Sequence, residues 1–234
     1  MTGLGRALAA EFIGTALLLA VVVGSGTMGE RTAAGNDAIA LLANSVATGC
    51  ALFVLIVVFA PVSGAHFNPL VSVMARLEGD LPSSALLLFA AAQLVGALAG
   101  VALAHAMFDL APWAPSLRQR TGPGQWLAEG VATFGLLLAI VGCRRHGTVV
   151  VAAGVATYIC AGYWFTASTS FANPAVTLAR AFTPTFSGIA PAHVGGFVLA
   201  QCVGAAAALV MARLLGLGKR DPEAASTRRT ASAK

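Results

Sequence analysis

Six polar side chains lie inside long apolar stretches, and they come in pairs. Glu11 and Glu129 interrupt one pair of runs, Gln93 and Gln201 another, and Asn68-Pro69 and Asn173-Pro174 form a third. A carboxyl at membrane depth is costly and faces a bundle interior, where it can relay protons or accept hydrogen bonds from backbone that no helix satisfies. Asn is among the best helix N-caps and Pro suits the first helical turn, so each Asn-Pro reads as a helix start. The Asn oxygen then caps the turn while its amide N–H groups can donate to a passing solute. The two Gln read as polar glue between helices. No Ser/His pair, paired carboxylates or metal-spaced cluster stands beside them, so the chain suggests neither an enzyme nor a metal or other cofactor.

The elements that position these residues must be membrane helices. Of the 234 residues, 58% are hydrophobic and only 10% charged, with mean hydropathy +0.83. A soluble domain carries roughly a quarter charged residues, so this chain cannot dress a water-facing surface. The net charge of +5 invites a nucleic-acid reading, but six basic residues (Arg213, Lys219, Arg220, Arg228, Arg229, Lys234) gather at or after the end of the last apolar run. That is a cytoplasmic flank against anionic lipid, and no nucleic-acid partner is expected. Cys50, Cys143, Cys160 and Cys202 all fall in apolar segments without paired spacing and read as small hydrophobes. The first run holds Glu11 and has no small-residue cleavage site, so it is not read as a signal peptide.

Six apolar runs are separable, at about 7–27, 39–60, 85–107, 126–143, 148–166 and 193–216, with connections that include 30–37, 77–84 and 109–125. Ten Lys and Arg fall on the side of the termini and four (Arg31, Arg118, Arg120, Arg180) on the other, so both termini are expected in the cytoplasm. Stretches 62–77 and 165–187 are too short to cross again, and each carries one Asn-Pro, which starts a short apolar helix at about 70–77 and 175–182. A helix beginning at membrane depth requires a protein or wet-cavity environment.

The chain also repeats itself. Ala10-Glu11 is echoed by Ala128-Glu129, Asn68-Pro69-Leu70-Val71-Ser72 by Asn173-Pro174-Ala175-Val176-Thr177, and Ala92-Gln93-Leu94-Val95-Gly96 by Ala200-Gln201-Cys202-Val203-Gly204. With three spans per half, the second copy enters from the opposite face. The expected fold is an all-α membrane protein with six transmembrane helices and two re-entrant half-helices in an inverted 3+3 repeat, meeting near the midplane. One domain should cover 1–216, with halves at about 7–107 and 126–216, followed by a disordered basic tail at 217–234.

Over about residues 7–216 the chain resembles the aquaporin family of water and small-solute channels. The match is carried by Ser63-Gly64-Ala65-His66-Phe67-Asn68-Pro69, by Asn173-Pro174-Ala175, and by the paired Glu and Gln. Two positions depart from the family pattern: Leu70 stands where the family usually has Ala, and Val176 stands where it usually has the Arg that narrows the outer constriction. Counting back without gaps places the other constriction positions at Thr48, Ala161 and Ser170, while a one-residue gap would substitute Phe171. The resemblance further implies that Glu11 and Glu129 hold the loops leading into the half-helices, and that the channel is a homotetramer in the cell inner (plasma) membrane. Loss of the filter Arg is shared with bacterial aquaglyceroporin-like channels associated with arsenic resistance.

If the half-helices meet at their N-termini, each presents about half a positive charge to the pore centre, which repels cations and protons while the Asn amides guide a neutral solute. His66, beside Asn68, reads as loop packing in preference to a switch or ligand. Arg180 lies four residues after Val176, on the same helix face and about 6 Å further out. It either reaches back over the filter or is tied to loop carbonyls. Two transport classes fit these residues: a passive channel for water plus glycerol-sized or neutral metalloid solutes such as arsenous acid, and a secondary transporter with broken helices. The transporter reading lacks an intramembrane charge network beyond the two Glu.

Overall fold

A computed structural model describes residues 3–217 of the chain, so the tail reading falls, apart from Leu217, outside the described residues. Among the described residues the fold is helical and free of strands. Six helices are long and apolar enough to cross a membrane: α1 (Gly3–Thr32), α2 (Asp37–Ser63), α4 (Ser83–Met107), α5 (Pro123–Cys143), α6 (Thr148–Phe165) and α8 (Val194–Leu214). Between them sit two short helices that begin at Asn-Pro, α3 (Pro69–Leu77) and α7 (Pro174–Ala179), the latter extended by a 3-10 turn at Arg180–Phe182.

The sequence boundaries hold to within a few residues, with one correction. Only half of the segment 30–37 is a connection, because α1 runs on to Thr32 and α2 begins at Asp37, so 33–36 alone link them. Gly24, Gly26 and Gly29 lower helix propensity there, which ended the expected run early. The helix continues because tertiary packing overrides propensity: Gly29 lets the α2 backbone at Ala40 approach closely, while Ser25 and Thr27 turn their hydroxyls back to the carbonyls of Val21 and Val23. Asn36 then caps α2 by accepting from the N–H groups of Ala38 and Ile39.

The two halves are built alike. In the first, α1 packs along α4 and α2; in the second, α5 packs along α8 and α6; α2 and α6 join the halves. The α1–α4 and α5–α8 seams are tight for a reason visible in the repeat. A Cβ on Gly96 would stand 2.4 Å from the Phe12 carbonyl oxygen, and one on Gly204 2.1 Å from that of Gly130. These carbonyls directly follow Glu11 and Glu129, so each glycine brings a backbone up against the buried carboxylate's own turn. Small residues at such crossings are how membrane helices gain close packing without a hydrophobic driving force.

Replacing Gly204 by Val should therefore push α8 off α5 and cost about 3 kcal/mol through overpacking. The expected outcome is a lower thermal midpoint and less monodisperse protein in detergent. Val203→Ala, at an exposed neighbour, should leave both unchanged.

Candidate functional site

The chain entering each half-helix is irregular, and the irregularity is copied. Ala65 and Phe67 before the first Asn-Pro have positive φ (52° and 50°), as do Ser170 and Ala172 before the second (53° and 49°). None of these is glycine, so each conformation costs about 1 kcal/mol or more and persists only where surroundings impose it. The two glutamates supply that constraint. Glu11 accepts from the backbone N–H of His66 at 2.9 Å and of Phe67 at 2.7 Å, and from Ser63 Oγ at 2.6 Å. Glu129 accepts from the N–H of Phe171 at 2.8 Å and of Ala172 at 2.9 Å. Both carboxylates are fully buried.

The glutamines complete the frame. Gln93 Nε2 donates to Glu11 at 2.8 Å and to Ser72 Oγ at 2.9 Å, while Gln201 Nε2 donates to Glu129 at 2.6 Å and to Thr177 Oγ1 at 2.8 Å. Thr177 donates in turn to the Asn173 carbonyl. Carboxylate, loop, half-helix and third span are thus one hydrogen-bonded unit in each half. His66 belongs to the first unit, with Nδ1 3.1 Å from Ser72 Oγ and its ring against Phe89.

The half-helices meet head to head through a reciprocal clasp. Asn68 Nδ2 donates to the Ala172 carbonyl and Asn173 Nδ2 to the Phe67 carbonyl, each at 2.8 Å. Their oxygens face the other way and cap their own helices: Asn68 Oδ1 accepts from Leu70, and Asn173 Oδ1 from Ala175 and Val176. Each amide has two N–H groups, so one per Asn is left over, and both residues border the central cavity. Pro69 and Pro174 occupy the first helical position, where a missing N–H costs nothing. Leu70 and Ala175 follow them, Leu70 half-buried and Ala175 buried.

That cavity has a volume of about 1350 Å³. Its walls are apolar stripes of every fourth residue: Thr48, Leu52, Ile56 and Ala60 on α2, and Val151, Val155, Ile159 and Tyr163 on α6. On the side of the α5–α6 turn it reaches Glu78, Asp80, Arg144 and Arg145, where Arg144 pairs with Glu78 and, at 3.5 Å, with Asp80. On the opposite side it reaches Ser170, Phe171, Val176 and Arg180.

Of the expected constriction residues, Thr48, Ser170 and Val176 line the cavity, and so does Phe171. Ala161 does not. It is exposed on the outer surface of α6, because two residues from the Ile159–Tyr163 stripe is roughly 200° around a helix. Ungapped counting failed there. The inward residue is Tyr163, whose hydroxyl lies 3.2 Å from Thr48 Oγ1; the i+4 stripe running through Val151, Val155 and Ile159 was the sequence signal for it. Ser170 Oγ is buried and has no protein partner.

Arg180 is buried, borders the cavity, donates through Nε to the Ser187 carbonyl, and lays its guanidinium 3.3 Å from the centroid of the Phe171 ring. Sequence reading passed over a second buried guanidinium, Arg120, in the long connection between α4 and α5. It donates to the carbonyls of Gly188, Ser168 and Phe186 and sits 5.2 Å from the same ring. Burial, with the neighbouring Arg118 charge second, pushes it down to about 10, so it stays charged at neutral pH. It ties the 109–122 connection to the chain entering and leaving α7.

Glu129→Gln should break the second frame: one loop N–H loses its acceptor, and the new amide can meet the Gln201 amide donor to donor. A buried donor left unmade costs about 1–3 kcal/mol, and the positive-φ strain loses its counterweight. The expected result is a lowered denaturation midpoint, with solute flux lost before the fold is lost.

The comparisons with known proteins agree with this architecture. Residues 2–146 match the family model described as Major intrinsic protein. The chain is 53% identical over 212 residues to the aquaglyceroporin AqpS of Rhizobium meliloti (strain 1021), covering 91% of each chain. It is 30% identical over 225 residues to a probable aquaporin, TIP1-2, of Oryza sativa subsp. japonica, covering 92% of this chain and 88% of that one. Among solved structures, the X-ray structure of the aquaglyceroporin from Plasmodium falciparum superposes with a TM-score of 0.67 at 20% identity, covering 86% of this chain and 92% of that one. A multi-pass membrane chain of inverted halves, clasped at two Asn-Pro starts around one continuous cavity, belongs to the major intrinsic protein family and is a passive channel for water and small neutral solutes, neither an enzyme nor a secondary transporter.

Proposed function

We propose that this channel carries solutes larger than water, glycerol-sized polyols and neutral metalloid hydroxides such as arsenous acid, through a wide outer constriction formed by Thr48, Tyr163, Ser170 and Val176. The observation that carries the reading is Val176, a buried apolar residue bordering the cavity at the position where the resembled family usually has Arg. A valine there removes a guanidinium from the narrowest ring and leaves room and a less polar wall. The name of the Rhizobium meliloti relative as an aquaglyceroporin is in keeping with it.

The midplane then contributes to ion exclusion, of protons above all. Asn68 and Asn173 each offer an unused N–H toward the cavity, and a neutral solute replaces water hydrogen bonds with these, while cations meet the positive ends of two half-helices. Leu70, in place of Ala, packs against the core beside Asn68. Glu11 and Glu129 act as loop-holding carboxylates, and the whole of 1–216 acts as one channel domain. We further propose both termini on the cytoplasmic side of the inner (plasma) membrane, from the distribution of Lys and Arg, and a homotetramer with one pore per subunit, from the family resemblance.

In proteoliposomes, glycerol flux should rise linearly with its gradient and need no ion gradient. Val176→Arg should cut glycerol and arsenous acid flux far more than water flux, as read by stopped-flow light scattering. Unchanged large-solute flux in that variant would remove Val176 from the constriction. Asn173→Asp, which places negative charge at the midplane, should admit a proton leak detectable with an entrapped pH dye, whereas the unaltered channel shows none.

A further inference from the structure

We infer that Arg180 is the specificity-determining cation of the outer constriction, a guanidinium supplied from one helical turn beyond the usual position, which excludes cations and offers its N–H groups to solute oxygens. The inference rests on the wide-filter reading and assigns that filter its charge.

Four observations carry it. Arg180 is 2% exposed and borders the cavity, so the small part of it that protein leaves uncovered opens on the cavity and not on bulk solvent. Only Nε is engaged, by the Ser187 carbonyl; among the described residues Nη1 and Nη2 donate to no protein acceptor. An unpaired buried guanidinium end is expensive unless something in the cavity accepts from it. The guanidinium also does not extend outward along α7: it folds back to 3.3 Å from the Phe171 ring centroid, and Phe171 directly follows Ser170 in the loop that lines the constriction. Helical side chains lean toward their N-terminus, so this is the direction a residue at this position takes. Its charge therefore sits on the ring of the residue that follows Ser170, with its stem rooted one turn beyond Val176.

Arg120 cannot fill the same role. All three of its guanidinium nitrogens are spent on the carbonyls of Gly188, Ser168 and Phe186, and it does not border the cavity. One arginine braces the loop and the other faces the solute path. With the stem of Arg180 rooted a turn further out than Val176, the ring keeps its width while regaining a positive charge and a fork of donors for hydroxyl or hydroxide oxygens. Ser170 Oγ, also without a protein partner, lies next along the loop as a further contact for the same solute.

The test separates charge from packing. Arg180→Leu, Arg180→Gln and Arg180→Lys are reconstituted in planar bilayers under a potassium chloride gradient. The Leu and Gln variants should conduct potassium, with the reversal potential moving toward its equilibrium value, while the Lys variant and the unaltered channel stay silent. Leu and Gln variants that assemble and remain as tight to potassium as the unaltered channel would overturn the inference. Should those two fail to assemble, butanedione modification of the unaltered protein followed by peptide mass mapping decides. Glycerol-protected modification at Arg180 supports the assignment, and an unmodified Arg180 beside a modified, part-exposed Arg118 defeats it. Failure of the wide-filter reading shows differently, as glycerol flux unaffected by Val176→Arg with ion exclusion intact.

Discussion

Backbone polar groups at membrane depth have no water to fall back on, and that constraint organises this molecule. Any chain that is not helical there must have its N–H groups accepted by protein or by a wet cavity. Two half-helices that start at the midplane need irregular approach segments, and those segments expose N–H groups at His66, Phe67, Phe171 and Ala172. A carboxylate is the strongest acceptor available for two such donors at once, since charge-assisted hydrogen bonds are roughly twice as strong as neutral ones. Placing Glu11 and Glu129 in apolar helices is thus costly in isolation and favourable in place. The glycines at 96 and 204, the glutamines at 93 and 201, and the hydroxyls at 72 and 177 all serve that same attachment.

Because the constraint acts through residue types, much of it was legible in the sequence. A Glu in an apolar run, an Asn-Pro in a moderately apolar stretch and a Gln in a third run, recurring in the same order, define the inverted repeat without any structure. Hydropathy marked the six spans because the helices are apolar nearly all round, and Asn-Pro marked both half-helix starts because capping is a local property. What failed to show was whatever depends on rotation or on long-range contact. Ala161 was placed by counting through a loop, and counting carries no information about which face of α6 turns inward; the stripe 151, 155, 159, 163 does. The positive-φ residues Ala65, Phe67, Ser170 and Ala172 are invisible because none is the glycine that such backbone favours. Arg120 was counted as a loop charge, yet it is buried by a connection that folds down over α7.

The halves are copies in their frames and differ at their mouths. Glu11 takes an extra bond from Ser63, and His66 bridges to Ser72, so the first approach loop is braced mainly from within its own half. The second is braced from outside as well, by Arg120 of the 109–122 connection, which donates to the Ser168 carbonyl and Thr169 Oγ1. The same connection holds the chain leaving α7: Ser116 N–H donates to the Ala181 carbonyl, Ala190 N–H to that of Arg118, and Arg118 and Arg120 bind carbonyls of 186–188. Guanidinium groups suit this task because one planar head reaches several carbonyls of a folded loop. At the opposite mouth the charges pair across the cavity instead, Arg144 with Glu78 and Asp80. The molecule is thus stiff around the constriction and held by exposed ion pairs at the other end, and exposed ion pairs contribute only about 0–1 kcal/mol each.

This division separates residues that hold backbone from residues that line the cavity. Glu11, Glu129, Gln93, Gln201 and the capping oxygen of Asn173 each make two or more hydrogen bonds, and the Asn68 oxygen makes one, to the Leu70 N–H, so altering any of them disturbs the frame. Val176 and Ser170 have no side-chain hydrogen bond to protein, and Thr48 has one, to Tyr163. Their side chains can be exchanged for others of acceptable volume without unmaking the loop behind them. A substitution at Val176, which borders the cavity with no side-chain hydrogen bond, can leave the midplane clasp as it is. The clasp and the ring then use different side chains, one turn of helix apart: Asn173 donates to the Phe67 carbonyl and caps its own helix, while Val176 only borders the cavity.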